Sequence, residues 1–448
     1  MKRIALLIVS FLTIFTAQAI DLTGVKIYIN PGHGGYDSND RSVWTIPVPE
    51  VWKNPEGYWE SKSNLVKGLA LKEMLEAAGA TVIISRTDNT SGIRDGEQFA
   101  GGGDRDLSEI AEEANANNVD HFLSIHSNSL NTTTNYLLLL YHGYNDQPTV
   151  AQSLPMAQSS GPIQINNPLT VWTSPTPMLR GDFTFYGDNL GLGVLRPLTV
   201  PGFLSEGSFH DYPPETHRLM NNDFCKLEAI RFFQHFHNYF KRDMPATGTI
   251  AGFVKSGNEL VDILKQPKFT YRAGSDDQWL PLNEVTVKLL NADGSQVLKT
   301  YTTDNWYNGI FAFYDLQPGN YKLSFSLTNY ESKTVDVTVT ASEITYTKAF
   351  LKNINIIVPD YPAPEQGDGA TALNQYDFVP DGNVENPTWL SSSSIRRILQ
   401  RNGKLYVLTN DPKIIVANAE TQEVIKELDL TGITGGSSIL SDIAFSAD

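Results

Sequence analysis

A single cysteine, Cys225, among 448 residues excludes an intramolecular disulfide framework. It sits in NNDFCKLEAIRFFQHFHNYF, a helix-patterned stretch, and reads as a small buried hydrophobe. Positive charge is also scarce. Lys and Arg number 34 against 50 Asp and Glu, a formal net charge of −16. That balance excludes the basic footprint of a nucleic-acid partner and docking on anionic lipid. Beyond the first twenty residues no apolar run approaches membrane-spanning length. A hydrophobic fraction of 41% rules out wholesale disorder. The length suits roughly three domains.

The first residues, MKRIALLIVSFLTIFTAQAI, combine a positive start at Lys2 and Arg3, an apolar stretch from Ile4 to Phe15, and Ala17-Gln18-Ala19. This reads as a secretory signal peptide over 1–19, cleaved after Ala19, with no stable membrane insertion afterwards. The alternative is an uncleaved anchor. Export without disulfides points to a bacterial envelope, periplasmic or extracellular.

Residues 24–242 alternate strand and helix patterns. VKIYIN, ATVIISR, DHFLSIH, NYLLLLYH and TVPGFLSEG read as strands; SNLVKGLALKEMLEAAG, DLSEIAEEANANN and the stretch around Cys225 read as helices. Such alternation implies an α/β domain with a mostly parallel sheet and functional loops at the strands' carboxyl ends. From Leu137 to Pro201 much of the chain reads as irregular. RDMPATG then reads as a linker. Residues 248–352 carry short β patterns separated by turns, an all-β sandwich. The order GFV, TTD, GIFAFYDLQPGNYKL resembles carboxypeptidase-regulatory-like modules, which implies a spacer or adhesion unit. Residues 353–377 form a Pro- and Gly-containing acidic linker. Residues 378–448, with KLYVLTN, PKIIVANAETQEVIKELDL and SDIAFSAD, resemble an incomplete β-propeller of about one blade.

Two histidines end strands of the α/β domain: His33 in NPGHGG and His126 in LSIH. Strand ends of a parallel sheet converge on one edge, so the two can meet. Zinc takes neutral imidazole and carboxylate, and a catalytic site has three protein ligands. Two acids are placed to complete the set. Glu60 precedes the first helix in YWESKSNL, where the helix dipole alone would also favour it. Glu206 closes the apolar strand VPGFLSEG.

Four segments in this order, INPGHGGYDSND, WESKSNLVKGLALKEMLEAAGATVIISRTDN, DRDLSEIAEEANANNVDHFLSIHSNS and VPGFLSEGSFHDYPPE, resemble the zinc-dependent N-acetylmuramoyl-L-alanine amidases over residues 24–240. The resemblance implies Zn2+ on His33, Glu60 and His126, with Glu206 as catalytic acid/base. It implies hydrolysis of the amide between N-acetylmuramic acid and L-alanine in peptidoglycan. The chain departs from the family at His210, Asp211 and Tyr212, which replace a Leu-Ser-Asn turn after the retained Phe209.

His142, at the end of LLLLYH, His210 and Arg86 are candidate substrate-binding residues. His210 and His217, just beyond Glu206, could touch substrate or zinc, but the preferred reading places both at the surface; Arg86 could instead pair with an acid inside the domain. His235 and His237 read as structural and His121 as exposed. Tyr58 and Trp59 could line a groove or join the core. Two other functions compete. A zinc exopeptidase would carry H-x-x-E, but His33 is followed by Gly34, Gly35 and Tyr36. A non-catalytic wall-binding or adhesion protein would tend to lose a ligand or the base, and all four residues are present.

Overall fold

A computed structural model describes residues 21–35, 58–89, 105–261, 270–354, 395–401, 403–409, 413–419, 421 and 423–430. The expected signal peptide, nearly all of the second linker and SDIAFSAD lie outside them. The chain divides into two compact units near residue 357. Among the described residues no helix is long and apolar enough to cross a membrane.

The first unit begins with β1 (Lys26–Pro31), α1 (Glu60–Ala77), β2 (Thr81–Ile84), α2 (Leu107–Ala116), β3 (His121–Asn128) and β4 (Leu138–Tyr141). A small hairpin of β5 (Gly143–Tyr144) and β6 (Gln147–Pro148) leads to α3 (Ser153–Ile165), β7 (Met178–Gly181) and α4 (Asp182–Tyr186). β8 (Gly202–Phe209), α5 (Pro213–Leu219) and α6 (Asn222–Phe240) complete it. Six strands form one sheet in the order β2-β1-β3-β8-β4-β7. The first four run parallel; β4 is antiparallel to β8, and β7 follows β4.

The strands are apolar on both sides because both faces are covered. Ile27, Ile29, Leu123 and Ile125 pack with Leu71 and Leu75 of α1 and Phe232 and Phe236 of α6. Tyr28, Phe122 and Leu204 face Ile110, Ala111 and Ala114 of α2. Each fully buried Ile, Leu or Phe among them stabilises by about 1.5–3 kcal/mol. The stretch expected to be irregular contains α3, SLPMAQSSGPIQI, with Pro162 inside it. Serine, glycine and proline are poor helix formers. Tertiary burial of Met156 and Ala157 in the α1/α6 core overrides that preference.

Two four-stranded sheets follow: β9 (Gly248–Leu260), β10 (Trp279–Pro281), β13 (Ile310–Leu316) and β16 (Ile344–Leu351) in one, β11 (Thr286–Leu290), β12 (Val297–Thr302), β14 (Gly319–Ser326) and β15 (Lys333–Val339) in the other. Their inner faces share a core containing Ile250, Val254, Val287, Leu323 and Phe325.

The expected linker at RDMPATG does not hold the sandwich apart from the α/β domain. Ile250 and Val254 belong to the sandwich core, whereas the alternate residues Ala251 and Phe253 share a cluster with Tyr58, Leu219, Phe224 and Leu227. β9 is therefore apolar on both faces, one for each domain. A buried ion cluster reinforces the junction. Arg218 of α5 donates from Nη1 to Asp277 Oδ1 at 2.7 Å and from Nη2 to Oδ2 at 3.2 Å. Lys255 Nζ reaches Oδ1 at 3.0 Å, and the Tyr212 hydroxyl donates to Oδ2 at 3.0 Å. Burial alone would raise the Asp277 carboxyl, but the charges of Arg218 and Lys255 hold it well below the usual carboxylate range. Removing one partner of a buried pair costs about 3–5 kcal/mol. Asp277→Ala should lower the urea midpoint accordingly. A loss under about 1 kcal/mol, the range of an exposed pair, would show that the cluster does not bind the domains together.

Buried histidines predict acid lability. His217, expected at the surface, is buried with Nδ1 2.9 Å from the Trp306 carbonyl. His121, expected to be exposed, is also fully buried, its Nε2 3.1 Å from Nε2 of His235. Burial pushes His217 down to about 4 and His235 down to about 3. As pH falls from 6.5 towards 4, the unfolded chain binds protons that folded His217 refuses, so stability declines across that window. His217 alone contributes on the order of 3 kcal/mol. Asp277 contributes stability present above its ordinary value of 3.8 and lost below it, giving a second decline. Urea unfolding across this range should show a falling midpoint from about pH 6.5 downward; a flat midpoint to about pH 4 would contradict it.

The second unit contains β17 (Ile395–Arg401), β18 (Lys404–Thr409), β19 (Lys413–Asn418) and β20 (Val424–Asp429), an antiparallel meander in chain order. Leu405, Val407, Ile415 and Ala417 are buried together.

Candidate metal centre and active site

β1 ends at Pro31, and Gly32 carries the chain past the His126 ring. A Cβ on Gly32 would lie 2.0 Å from that imidazole, so only glycine permits the approach. His33 follows with φ +60 in the left-handed region, an uncommon conformation for a residue with a side chain. Arg86 clamps this turn. Its Nε donates to the Pro31 carbonyl at 2.9 Å, and its Nη2 to the carbonyls of Gly32 at 3.1 Å and Ser61 at 2.6 Å.

Glu60 is the first residue of α1 and is buried. Its Oε2 lies 3.3 Å from His33 Nε2, and its Oε1 3.2 Å from His126 Nδ1. The Ser127 amide donates to Oε1 at 2.9 Å. One ligand atom from each of His33, Glu60 and His126 lies within 4.8 Å of the others. Two imidazoles and a carboxylate are a donor set that fits a zinc ion. Burial alone would raise Glu60, but hydrogen bonds with His126 and His33 and the nearby charge of His33 and His210 hold it well below the carboxylate range. Burial lowers His126, which keeps the imidazole in the neutral, ligating form. Its Nε2 sits 3.1 Å from Ser124 Oγ, which accepts from Asn30 Nδ2 at 2.8 Å; Asn30 Oδ1 accepts from Ser85 Oγ at 2.7 Å. Once Nδ1 gives up the proton it shares with Glu60, Nε2–H donating to Ser124 leaves the Nδ1 lone pair for a cation.

Glu206 is the register partner of His126 across β3 and β8, so both project from the same sheet face. Just beyond, the register slips: Asn128 pairs with Phe209, placing an extra residue in β8. Such bulges re-aim side chains beside active sites. Tyr136 stands nearby, its hydroxyl raised by burial and by the Glu206 charge.

The three substrate-binding candidates fare differently. His142 does not join the site. Because β4 runs antiparallel to β8, Leu138 stands beside Glu206 and the end of β4 lies toward the start of β8. There His142 Nδ1 lies 3.0 Å from Asp182 Oδ2. His210 is buried behind the cluster, 3.0 Å from Ser127 Oγ and 3.8 Å from Glu60 Oε2, so it supports the carboxylate from within. Arg86 is buried and engaged by main-chain carbonyls, which fits a clamp and not a contact with a peptide carboxylate. Tyr58 is core, bonded to Ser63 and Ser127. Asn30, Ser124, Ser127 and Tyr136 were missed by sequence reasoning; the alternation of SIHSN, with polar residues inside an otherwise apolar strand, was the available signal.

Residues 27–231 match the family model described as N-acetylmuramoyl-L-alanine amidase. This stretch is an amidase domain of that family. His33, Glu60, His126 and Glu206 all fall inside the amidase domain; the sandwich and the C-terminal meander lie outside it. The chain is 25% identical over 207 residues to the N-acetylmuramoyl-L-alanine amidase CwlM of Bacillus licheniformis. That match covers 46% of this chain and 64% of CwlM, so the chain spans a little under two thirds of that relative's length. Similar solved structures include the amidase AmiC2 of Nostoc punctiforme, at 20% identity over 49% of this chain and 99% of that chain, with TM-score 0.37. Another is the apo amidase Ami1 of Mycobacterium abscessus, at 16% identity over 49% of this chain and 100% of that chain, also with TM-score 0.37.

Proposed function

We propose that this protein is a zinc-dependent hydrolase that cuts the amide between the lactyl group of N-acetylmuramic acid and L-alanine in peptidoglycan. The observation that carries the reading is the His33–Glu60–His126 cluster with Glu206 in register beside it, inside an amidase domain. His33, Glu60 and His126 would hold the metal. When bound, zinc supplies Lewis acidity that polarises the scissile carbonyl and eases deprotonation of water. Glu206 takes the proton of the attacking water and returns it to the leaving amine. Ser124 fixes the His126 ring, while Arg86 and Gly32 fix the loop carrying His33. The substrate lies outside the cytoplasmic membrane, so the working protein belongs in the envelope or beyond it. The C-terminal meander, by its strand order, is read as one propeller blade.

Incubation of the full chain with purified peptidoglycan, followed by mass analysis, tests this. Free stem peptides with an intact L-alanine amino terminus are expected, together with glycan stripped of peptide, and a chelator should stop both. Shortened stems still attached to glycan would indicate a peptidase instead. No release at all would indicate a non-catalytic wall-binding protein.

A further inference from the structure

A cleft of about 200 Å³ opens between α3, α6 and β16, where the amidase domain meets the sandwich, and it shares no residue with the metal cluster. Arg231 of α6 lines it. This arginine is only 4% exposed, yet its sole hydrogen bond among the described residues runs from Nη1 to the Tyr346 hydroxyl at 3.1 Å. Its buried Nε has no partner. The other two buried arginines are saturated: Arg86 by main-chain carbonyls, Arg218 by Asp277 and Glu215. A buried guanidinium with unmet donors is costly unless something meets them.

The other walls narrow the occupant. Glu343, exposed, brings a negative charge to the same cleft, and Ile163, Met244 and Ile344 give it apolar surface. A dianion such as phosphate would meet Glu343 unfavourably. A carboxylate carried beside an ammonium satisfies both charges, with its planar oxygens on the guanidinium fork. We infer that this cleft is a binding site for a free α-amino acid with an apolar side chain, its carboxylate on Arg231 and its ammonium toward Glu343.

Calorimetric titration of the full chain with L-valine, N-acetyl-L-valine and inorganic phosphate tests the assignment. L-valine should bind, and Arg231→Gln should weaken it about tenfold or more, the worth of a charged hydrogen bond. Glu343→Gln, at an exposed position, should weaken L-valine and leave N-acetyl-L-valine unchanged; this variant serves if Arg231→Gln does not fold. Binding should persist in His126→Ala, which separates the cleft from the metal centre. Absence of L-valine binding, equal affinity in Arg231→Gln, tighter binding of phosphate, or equal affinity for the N-acetylated form would overturn the inference.

Discussion

Glu206→Gln should keep its metal and lose turnover on the order of a hundredfold or more, the usual worth of a positioned acid/base. Glutamine preserves the shape of the side chain and its place opposite His126 on β8. It cannot accept a proton from water or hand one to the leaving amine. The His33–Glu60–His126 cluster does not include Glu206, so metal content and unfolding midpoint should stay near those of the parent. Hydrolysis of peptidoglycan at a near-parental rate would remove Glu206 from the role of base. Loss of metal along with activity would make it a ligand instead.

His126→Ala should abolish tight zinc uptake. Three protein ligands become two, and Glu60 loses one of the hydrogen-bond partners at Oε1 that help hold it ionised. The effect should exceed that of Ser124→Ala. That change removes only the group fixing the ring and is expected to weaken binding by about 10–100-fold. Metal analysis after dialysis separates the two. Full occupancy in His126→Ala would take this histidine out of the ligand set, and equal losses in both variants would point to collapse of the strand and not to ligation.

Much of the site was legible because its signals are local. Pro-Gly-His-Gly-Gly after an apolar strand marks a histidine held at a strand end, and Gly32 is glycine because His126 occupies the space of a Cβ. Glu60 and Glu206 were proposed from their places at a helix start and at the close of a late apolar strand. What was misread depends on relations that no short segment carries. His142 follows a strand that looks like its neighbours, but residues 129–137 join β3 to β4 without a crossover helix, and β4 returns antiparallel to β8. His121, His210 and His217 look like surface residues because imidazole is polar; each is buried with a partner supplied by a distant segment. The fusion of sandwich and amidase domain left a trace in TIAGFV, which is apolar at consecutive positions where a sandwich strand with one solvated face would alternate.

The bond that is cut can be read atom by atom. Hydrolysis of a muramoyl peptide in 18O-labelled water, with mass analysis of both products, places the incoming oxygen. An amidase acting at the lactyl carbonyl puts the label in the lactyl carboxylate of the sugar and none in the released peptide, which gains a free L-alanine amine. That is the result expected of the full chain loaded with zinc. Label in a carboxylate of the peptide, with the lactyl amide intact, would contradict it.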